Sequence, residues 1–267
     1  MSFSIYGKTA IVTGAANGIG LAIARHFADR GANVMCADMD EKKLADELGD
    51  VAEDGNIRYF AGDLRQRLTI ANLVSATIDA FDQVDILVNA SRQVMHTDAR
   101  NPEDTSVEVL LEQNLMTAIR LTQQVARRMI KQAEGNTEAT CVGSIVNLSS
   151  IAAHQSRPEL LAYSISSAGL EQMTRSMALA LAPERIRVNA VAFGSVMSAS
   201  LQASIGEHPE WREEIETQTP MHRIAAPTEL VDAVQFLASD GSGFVTGEVL
   251  TVDGGRSLLD PVDAPAH

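Results

Sequence analysis

The chain alternates short apolar runs with longer stretches of helical periodicity, and this alternation constrains its fold more than any other feature. Most of the apolar runs lack polar alternation, as strands buried on both faces should. We predict strands at 9–14, 33–38, 57–63, 85–90, 143–150, 186–193 and 247–255. Helical patterns lie between them, at 18–30, 66–80, 106–133, 158–182 and 228–239. Repeated β-α units predict an α/β fold, a doubly wound parallel sheet of about seven strands with helices on both faces.

The length of the chain fits one large domain. It has 267 residues, and its hydrophobic fraction of 45% is ample for a buried core. No low-complexity linker and no internal repeat interrupts the pattern, so we predict a single domain over residues 1–267. The final segment, 258–267, includes "DPVDAPAH" and is predicted to be a loose tail.

The charge balance excludes several classes of partner. The formal net charge is −14, from 21 basic and 35 acidic residues, whereas nucleic acids and anionic membranes require a basic surface. Two cysteines, Cys36 and Cys141, are too few for a disulfide framework, and no signal peptide or membrane-length apolar run is evident. We therefore expect a cytoplasmic protein. The six histidines show no ligand spacing, so we expect no metal site.

A glycine-rich turn follows the first predicted strand. In "VTGAANGIG", the glycines Gly14, Gly18 and Gly20, with Asn17 and Ile19 between them, open the first helix. Such glycines let the backbone turn tightly and approach a pyrophosphate, which then lies at the N-terminus of the helix. The alternative interpretation is a plain strand-to-helix turn.

Asp38 strengthens the dinucleotide interpretation. It ends the second predicted strand, 18 residues after Gly20, where a carboxylate accepts hydrogen bonds from the adenosine ribose hydroxyls. A carboxylate there repels a 2′-phosphate, and no basic residue lies within "GAANG" or immediately after Asp38. We therefore predict NAD rather than NADP as the cofactor. The alternative for Asp38 is an acidic residue of a turn.

These motifs, taken in order, resemble those of the short-chain dehydrogenase/reductase family over about residues 7–256. "TGAANGIG" is similar to the family's Thr-Gly-x-x-x-Gly-x-Gly, and "GDL" resembles the motif that holds the adenine. "NLSS" precedes "AYSIS" at the family's spacing, which puts Ser150 thirteen residues before Tyr163. "RVNAVAFG" and "FVTGEVLTVDGG" resemble the family's last two strands.

The resemblance implies roles for individual residues. Tyr163 would exchange a proton with the substrate oxygen, Ser150 would hydrogen-bond that oxygen, and Asn114 would anchor a water-linked proton path. The remaining cofactor contacts implied in this way are Asp63 and Leu64 for the adenine, Asn89 of the Asn-Asn-Ala-Gly motif, and Val196 and Ser198 for the carboxamide. Taken singly, Ser150, Asn114 and Tyr163 have structural alternatives: a hydroxyl at a strand end, an amide on a helix face and a half-buried aromatic.

The chain departs from the family pattern at three places. Ser167 stands where the family's Tyr-x-x-x-Lys has a lysine that binds the nicotinamide ribose and lowers the pKa of the tyrosine. "VNASR" replaces Asn-Asn-Ala-Gly, so that Arg92 stands beyond Asn89 at a position near the cofactor, and Phe193 replaces a proline. Arg92 would substitute for the missing charge if its side chain folded inward, but we expect it to point to solvent.

The serine affects the two reaction directions differently. A phenol with a pKa of about 10 is ionised to roughly one part in a thousand at pH 7. Alcohol oxidation needs the phenolate and should suffer severely, whereas carbonyl reduction needs the abundant phenol and should suffer less.

Three functions are compatible with these residues. The favoured one is an NAD(H)-dependent oxidoreductase acting on a secondary alcohol or ketone, with weakened catalysis. The second is a cofactor-binding sensor, regulator or oligomer partner with little or no turnover. The third is a protein that has lost the cofactor, with Arg92 filling the nicotinamide space.

The resemblance also implies a homotetramer and a substrate lid at about 195–222. In that lid, Trp211 either packs or contacts substrate. His154, four residues after Ser150, is expected to be structural rather than to face the pocket.

Overall fold

A single parallel sheet of seven strands organises the computed structural model, which describes residues 3–52 and 55–260. The strand order is β3-β2-β1-β4-β5-β6-β7, and every neighbouring pair is parallel. All seven predicted strands are present, with bounds β1 Thr9–Thr13, β2 Asn33–Asp38, β3 Ile57–Ala61, β4 Ile86–Asn89, β5 Gly143–Ser150, β6 Ile186–Phe193 and β7 Val249–Val252. The order reverses direction between β1 and β4, and such a switch point opens a crevice at the carboxyl ends of the strands.

Helices cover both faces of this sheet. Their bounds are α1 Gly18–Asp29, α2 Glu41–Ala52, α3 Arg67–Phe81, α4 Ser106–Leu110, α5 Thr117–Gln132, α6 Leu161–Leu181, α7 Ala199–Glu207, α8 Glu210–Thr217 and α9 Pro227–Ala238. Successive residues of β1 pack on opposite faces of the sheet. Val12 packs with residues of α1 and α9, and Ile11 packs with residues of α3 and α5. This alternation confirms the doubly wound architecture.

The predicted helical stretches did not include α2, nor α7 and α8 of the segment predicted as a lid. Helix α2 has only a narrow apolar side, and its first nine residues bury just Leu44 and Leu48, which are 0% and 1% exposed. These leucines lie four positions apart and so share one side of the helix. The many charged residues around them masked the periodicity.

The long helix predicted at 106–133 is interrupted. Between α4 and α5 the backbone forms a π-helical turn over Leu111–Met116, and the Thr117 hydroxyl donates to the carbonyl oxygen of Glu112 five residues earlier at 2.9 Å. π-helical turns of this kind occur mostly as single turns and often at functional sites. The turn contains Asn114, one of the predicted site residues.

The segment predicted as a lid is largely helical. It contains α7 and α8, and its acidic side chains Glu207, Glu210, Glu213 and Glu214 are exposed, as a solvated helix face should be. Trp211 stacks on His208 with ring centroids 4.3 Å apart, so its described ring contact lies within the segment. Residues 258–260 of the predicted tail follow or end a 3-10 turn, and 261–267 lie outside the described residues. No described helix is long and apolar enough to cross a bilayer.

Candidate functional site

The turn between β1 and α1 accepts only glycine at two of its positions. Gly14 has φ +66°, and a Cβ atom there would lie 2.8 Å from the Cα of Ser91 in the loop after β4. A Cβ atom on Gly20 would lie 2.1 Å from the carbonyl oxygen of Gly14. Glycine at 14 lets the loop after β4 approach the turn, and glycine at 20 lets α1 lie close to the end of β1.

The N-terminus of α1 is open towards the sheet edge. Gly18 has φ +56°, and a Cβ atom there would meet no heavy atom within 4 Å, so a side chain would project into open space. The N-cap residue Asn17 makes no side-chain capping hydrogen bond, and the first turn has no acidic residue. Unsatisfied N–H groups and the positive end of the helix dipole favour an anion at this position. The turn therefore fits a pyrophosphate.

Asp38 lies beside this turn, at the end of β2. Its Oδ2 atom accepts a hydrogen bond from the N–H of Ala16 at 3.1 Å, and its Oδ1 atom accepts one from the N–H of Asp40 at 3.1 Å. The two bonds orient the carboxylate, and each oxygen retains a lone pair for another donor. Asp38 is thus placed to accept hydrogen bonds from a pair of ribose hydroxyls.

A cleft of about 540 Å³ opens in front of these groups. Most of the predicted cofactor residues line it: Gly14, Asn17, Gly18, Ile19, Gly20, Asp38, Asp63, Leu64 and Ser198. The other lining residues were not predicted as cofactor contacts: Ala37, Met39, Gly62, Ala90, Ser91, Arg92, Gln93, Val94, Gln113 and Leu148. Most of them lie at or just after the ends of strands, and Ala90, Ser91 and Arg92 belong to the altered "VNASR" stretch. The cleft runs along the carboxyl edge of the sheet, where β1 and β4 diverge.

Asp63 is held by Arg65 inside this cleft. Arg65 donates from Nε to Oδ1 at 2.9 Å and from Nη2 to Oδ2 at 2.8 Å. These charged hydrogen bonds hold the pKa of the Asp63 carboxyl below its usual range. Asp63 is therefore a carboxylate at neutral pH, and its neighbour Leu64 contributes an apolar wall.

Two predicted cofactor residues, Asn89 and Val196, do not line the large cleft. The Asn89 amide donates to Thr122 Oγ1 at 3.1 Å and to Asn147 Oδ1 at 2.8 Å, so its side chain ties β4 to α5 and β5. Val196 is 5% exposed, packs in the core and forms an isolated bridge with Ala225. Both side chains have structural partners, which the motif spacing did not predict.

Tyr163 lies in the first turn of α6 and is buried. Its phenol oxygen accepts a hydrogen bond from Nη1 of Arg92 at 2.6 Å. The guanidinium carbon of Arg92 lies 4.2 Å from the ring centroid of Phe193 and 5.9 Å from that of Tyr163. The expectation that Arg92 points to solvent is therefore wrong: much of the residue is exposed, but its guanidinium folds back onto two aromatic side chains.

Ser150 is the last residue of β5. Its Oγ atom accepts a hydrogen bond from the N–H of Ala152 at 3.2 Å and so caps a 3-10 turn over Ile151–Ala153. Ala152 packs in the same small cluster as the Tyr163 ring. Because the hydroxyl is the acceptor in its capping bond, its own hydrogen remains able to donate to another oxygen.

Asn114 connects two segments around the site. Its Oδ1 atom accepts from the N–H of Gln93 at 2.8 Å, and its Nδ2 atom donates to the carbonyl oxygen of Gln93 at 2.9 Å. The same Nδ2 atom lies 3.3 Å from Ser166 Oγ on α6. Asn114 thus clamps the loop that carries Arg92 against the helix that carries Tyr163.

Ser167 lies one helical turn beyond Tyr163 and is buried. It borders a second cavity of about 10 Å³, roughly the space of one water molecule. Arg92, Asn114 and Tyr163 border the same cavity. His154 does not join this group, since its Nε2 atom lies 2.8 Å from a carboxylate oxygen of the buried Glu171, as a structural histidine would.

Comparison with known proteins gives consistent matches over nearly the whole chain. A family model described as enoyl-(acyl carrier protein) reductase matches residues 14–257. An uncharacterised oxidoreductase of Bacillus subtilis is 34% identical over 259 residues, which are 96% of this chain and 86% of that protein. A 3-oxoacyl-(acyl-carrier-protein) reductase of Thermotoga maritima is 33% identical over 252 residues, which are 93% and 97% of the two chains.

A solved structure shares the fold. It is a 7α-hydroxysteroid dehydrogenase complexed with NADH and 7-oxo glycochenodeoxycholic acid. The TM-score is 0.86 at 29% sequence identity, and the match covers 95% of this chain and 96% of that one.

The close contact at Gly20 predicts an unequal response to two Gly→Ala substitutions. Gly20→Ala should lower the free energy of unfolding by about 1–3 kcal/mol, because its Cβ atom collides with backbone that must move. Gly49→Ala on α2 is the matched control, since a Cβ atom there meets nothing within 4 Å and should stabilise the helix by about 0.5–1 kcal/mol. Urea unfolding measures both, and equal effects would contradict the packing of the turn.

Proposed function

The chain belongs to the short-chain dehydrogenase/reductase family of oxidoreductases, and on this premise we propose that it transfers hydride between NAD(H) and a secondary alcohol or ketone. One observation carries the proposal. A single cleft joins the glycine turn and Asp38 to Arg92, and Arg92 binds the phenol oxygen of Tyr163. The dinucleotide-binding end and the acid/base end of the site are therefore continuous.

The residues of the cleft provide for each part of the dinucleotide. The N–H groups at the start of α1 would bind the pyrophosphate, Asp38 the adenosine ribose, and Asp63 with Leu64 the adenine. Asn17, Ile19 and Ser198 would complete the walls. A nicotinamide cofactor, when bound, supplies or accepts the hydride. The complex of a similar protein with NADH supports this choice of cofactor.

Tyr163 and Ser150 would act on the substrate oxygen. In reduction, the Tyr163 hydroxyl donates its proton to the carbonyl oxygen, and the resulting phenolate remains beside the Arg92 guanidinium. The Ser150 hydroxyl donates a hydrogen bond to the same oxygen and orients it. Asn114 acts indirectly, because it holds the backbone next to Arg92. In oxidation the proton moves in the opposite direction.

Ser167 should limit this chemistry. It carries no charge and is too short to span the distance that a lysine side chain covers, so it would not replace the ribose contacts of the family's lysine. We propose that the loss of these ribose contacts weakens catalysis.

A second candidate function is a cofactor-binding protein with little turnover. The observation that favours it is the Arg92–Tyr163 bond itself, since the guanidinium uses a lone pair of the oxygen that would serve the substrate. We rank it second because that bond leaves the phenol proton available for donation.

We also propose that the chain forms a homotetramer. A groove of about 240 Å³ between α5 and α6 is lined mainly by apolar atoms of Ala126, Ile130, Met177 and Leu181. Leu179 on the same helix α6 is 81% exposed and would add apolar surface to such an interface. The net charge of −14 supports a protein that binds neither nucleic acid nor an anionic membrane.

NAD should bind at least tenfold more tightly than NADP, a difference of about 1.4 kcal/mol, because Asp38 would face the extra phosphate. Asp38→Asn removes the charge and should narrow that ratio. Asp40→Asn is the control. It removes an equal charge only two residues from Asp38, but the Asp40 carboxylate does not line the cleft. Calorimetric titration measures the affinities, and equal or tighter NADP binding by the parent protein would exclude the role of Asp38.

Tyr163→Phe should reduce turnover at least a hundredfold in both directions while NADH binding persists, because the proton donor is lost and the ring is kept. Tyr59→Phe on β3 is the control and should leave the rates unchanged. The assay is NADH oxidation with a panel of ketones, followed by the reverse reaction on the best product. A parent protein that binds NADH and turns over no member of the panel would favour the second candidate function.

Light scattering should show four chains per particle at micromolar concentration. Leu179→Glu should reduce this number, because it places charge on the exposed apolar side of α6. Leu68→Glu on α3, where the native leucine is 73% exposed, should not change it. A monomeric parent protein would refute the proposed assembly.

A further inference from the structure

We propose that Arg92 is the cation that stabilises the ionised form of Tyr163, in place of the family's lysine four residues after the tyrosine. The inference rests on the proposed function, because it assigns to Arg92 the electrostatic part of a catalytic role. It brings the three departures from the family pattern into one account. Arg92 provides the charge, Phe193 supports it, and Ser167 makes room for it.

The contact between the two side chains is direct. Arg92 Nη1 lies 2.6 Å from the phenol oxygen, a distance typical of a strong hydrogen bond from a charged donor. A guanidinium is a donor with no acceptor atom, and it carries a positive charge. It binds a phenolate more strongly than a phenol, so this contact favours the ionised form.

Phe193 supports the guanidinium from the other side. Its ring is buried at 2% exposure at the end of β6, and its centroid lies 4.2 Å from the guanidinium carbon. A cation at this distance from an aromatic ring is attracted by the electrons of the ring face. The proline of the family pattern offers no such ring. The pairing of Arg92 with Phe193 explains why both positions differ.

The backbone on each side of Arg92 is fixed. The N–H of Ser91 donates to Thr13 Oγ1 at 3.0 Å, and both backbone polar groups of Gln93 bind the Asn114 side chain. Thr13 belongs to β1 and Asn114 to the π-helical turn, so the loop is tied to two elements of the core. The guanidinium therefore starts from an anchored backbone rather than from a free loop.

No carboxylate competes for Arg92 within residues 3–52 and 55–260, where it forms no ion pair. The side chains that pack on the Tyr163 ring are apolar: Leu110 and Val107 on α4, Met95 in the loop after β4, Ala152 after β5, and Leu160 with Ala162 beside the tyrosine. Besides Arg92, the charged and titratable side chains of these elements do not bind the phenol in the described residues: His96, Asp98, Arg100, Glu103 and Asp104 in the loop, Glu108 on α4, Glu112, which binds Arg120, His154, Arg157 and Glu159 between β5 and α6, and Glu171 and Arg175 on α6. Arg92 is thus the charged group in hydrogen-bond contact with the phenol.

Ser167 fits the same arrangement. The cavity that it shares with Arg92 and Tyr163 measures about 10 Å³, roughly the space of one water molecule. A lysine at this position would also place a second positive charge beside the guanidinium. A small neutral residue at 167 is therefore what an arginine approaching from the loop after β4 requires.

The test is an absorbance titration of Tyr163 alone. The chain has three tyrosines, so a parent protein carrying Tyr6→Phe and Tyr59→Phe retains only the one in question. Arg92→Gln in this background should move the midpoint of phenol ionisation upwards by about one pH unit or more, which is tenfold less phenolate at a given pH. Arg92→Lys should raise the midpoint less than Arg92→Gln does, because lysine keeps the positive charge but lacks the planar guanidinium group. Circular dichroism at each pH verifies that the proteins remain folded.

Two further variants make the result decisive. Arg100→Gln removes an exposed arginine later in the same loop and should leave the midpoint unchanged. Phe193→Leu should raise the midpoint by a smaller amount, and it provides the answer if Arg92→Gln fails to fold. Unchanged midpoints in Arg92→Gln, or in Phe193→Leu when it stands in, would overturn the proposal. The titration uses neither cofactor nor substrate, so loss of the proposed oxidoreductase function would appear separately, as absent NADH binding or absent turnover.

Discussion

Parallel pairing of the strands is the constraint on which the rest of the molecule depends. It brings the carboxyl ends of all seven strands to one edge of the sheet, so residues far apart in sequence must meet there. The glycine turn after β1, Asp38 after β2, Arg92 after β4, Ser150 at the end of β5 and Phe193 at the end of β6 all occupy this edge. The strand topology therefore determines where the site lies, and the side chains at the strand ends determine what it can bind.

A small set of hydrogen bonds converts this edge into a defined site. The Thr13 hydroxyl at the end of β1 accepts from the N–H groups of Ala90 and Ser91, each at 3.0 Å, and directs the chain leaving β4. Asn114 holds the next part of that loop from a π-helical turn. The interruption of the long helix between α4 and α5 is thus tied to the site, because Asn114 lies at the interruption.

Much of the fold and part of the site could be predicted from the sequence. All seven strands were located because each is a short, mainly apolar run; the five inner strands are largely buried, and the edge strands β3 and β7 are partly exposed. Helix α2 was missed because only Leu44 and Leu48 of its first nine residues are buried. The glycine turn and Asp38 were predicted because backbone geometry and charge restrict which residues such positions accept. Asn89 and Val196 were assigned from the family resemblance, and their side chains bind or pack within the core instead of lining the large cleft.

By itself, the sequence determined the order of the strands, the glycine-rich turn after β1, and the absence of a lysine at 167. These follow from local periodicity, from backbone geometry and from residue identity, which require no knowledge of distant neighbours. Only the tertiary structure decided the orientation of Arg92. Its exposure in an extended loop favoured solvent, but the contact with Tyr163, 71 positions away, and the ring of Phe193 at the end of β6 draw the guanidinium inward. The partners of a long charged side chain depend on which chain segments the fold brings together, and that information lies outside any local stretch of sequence.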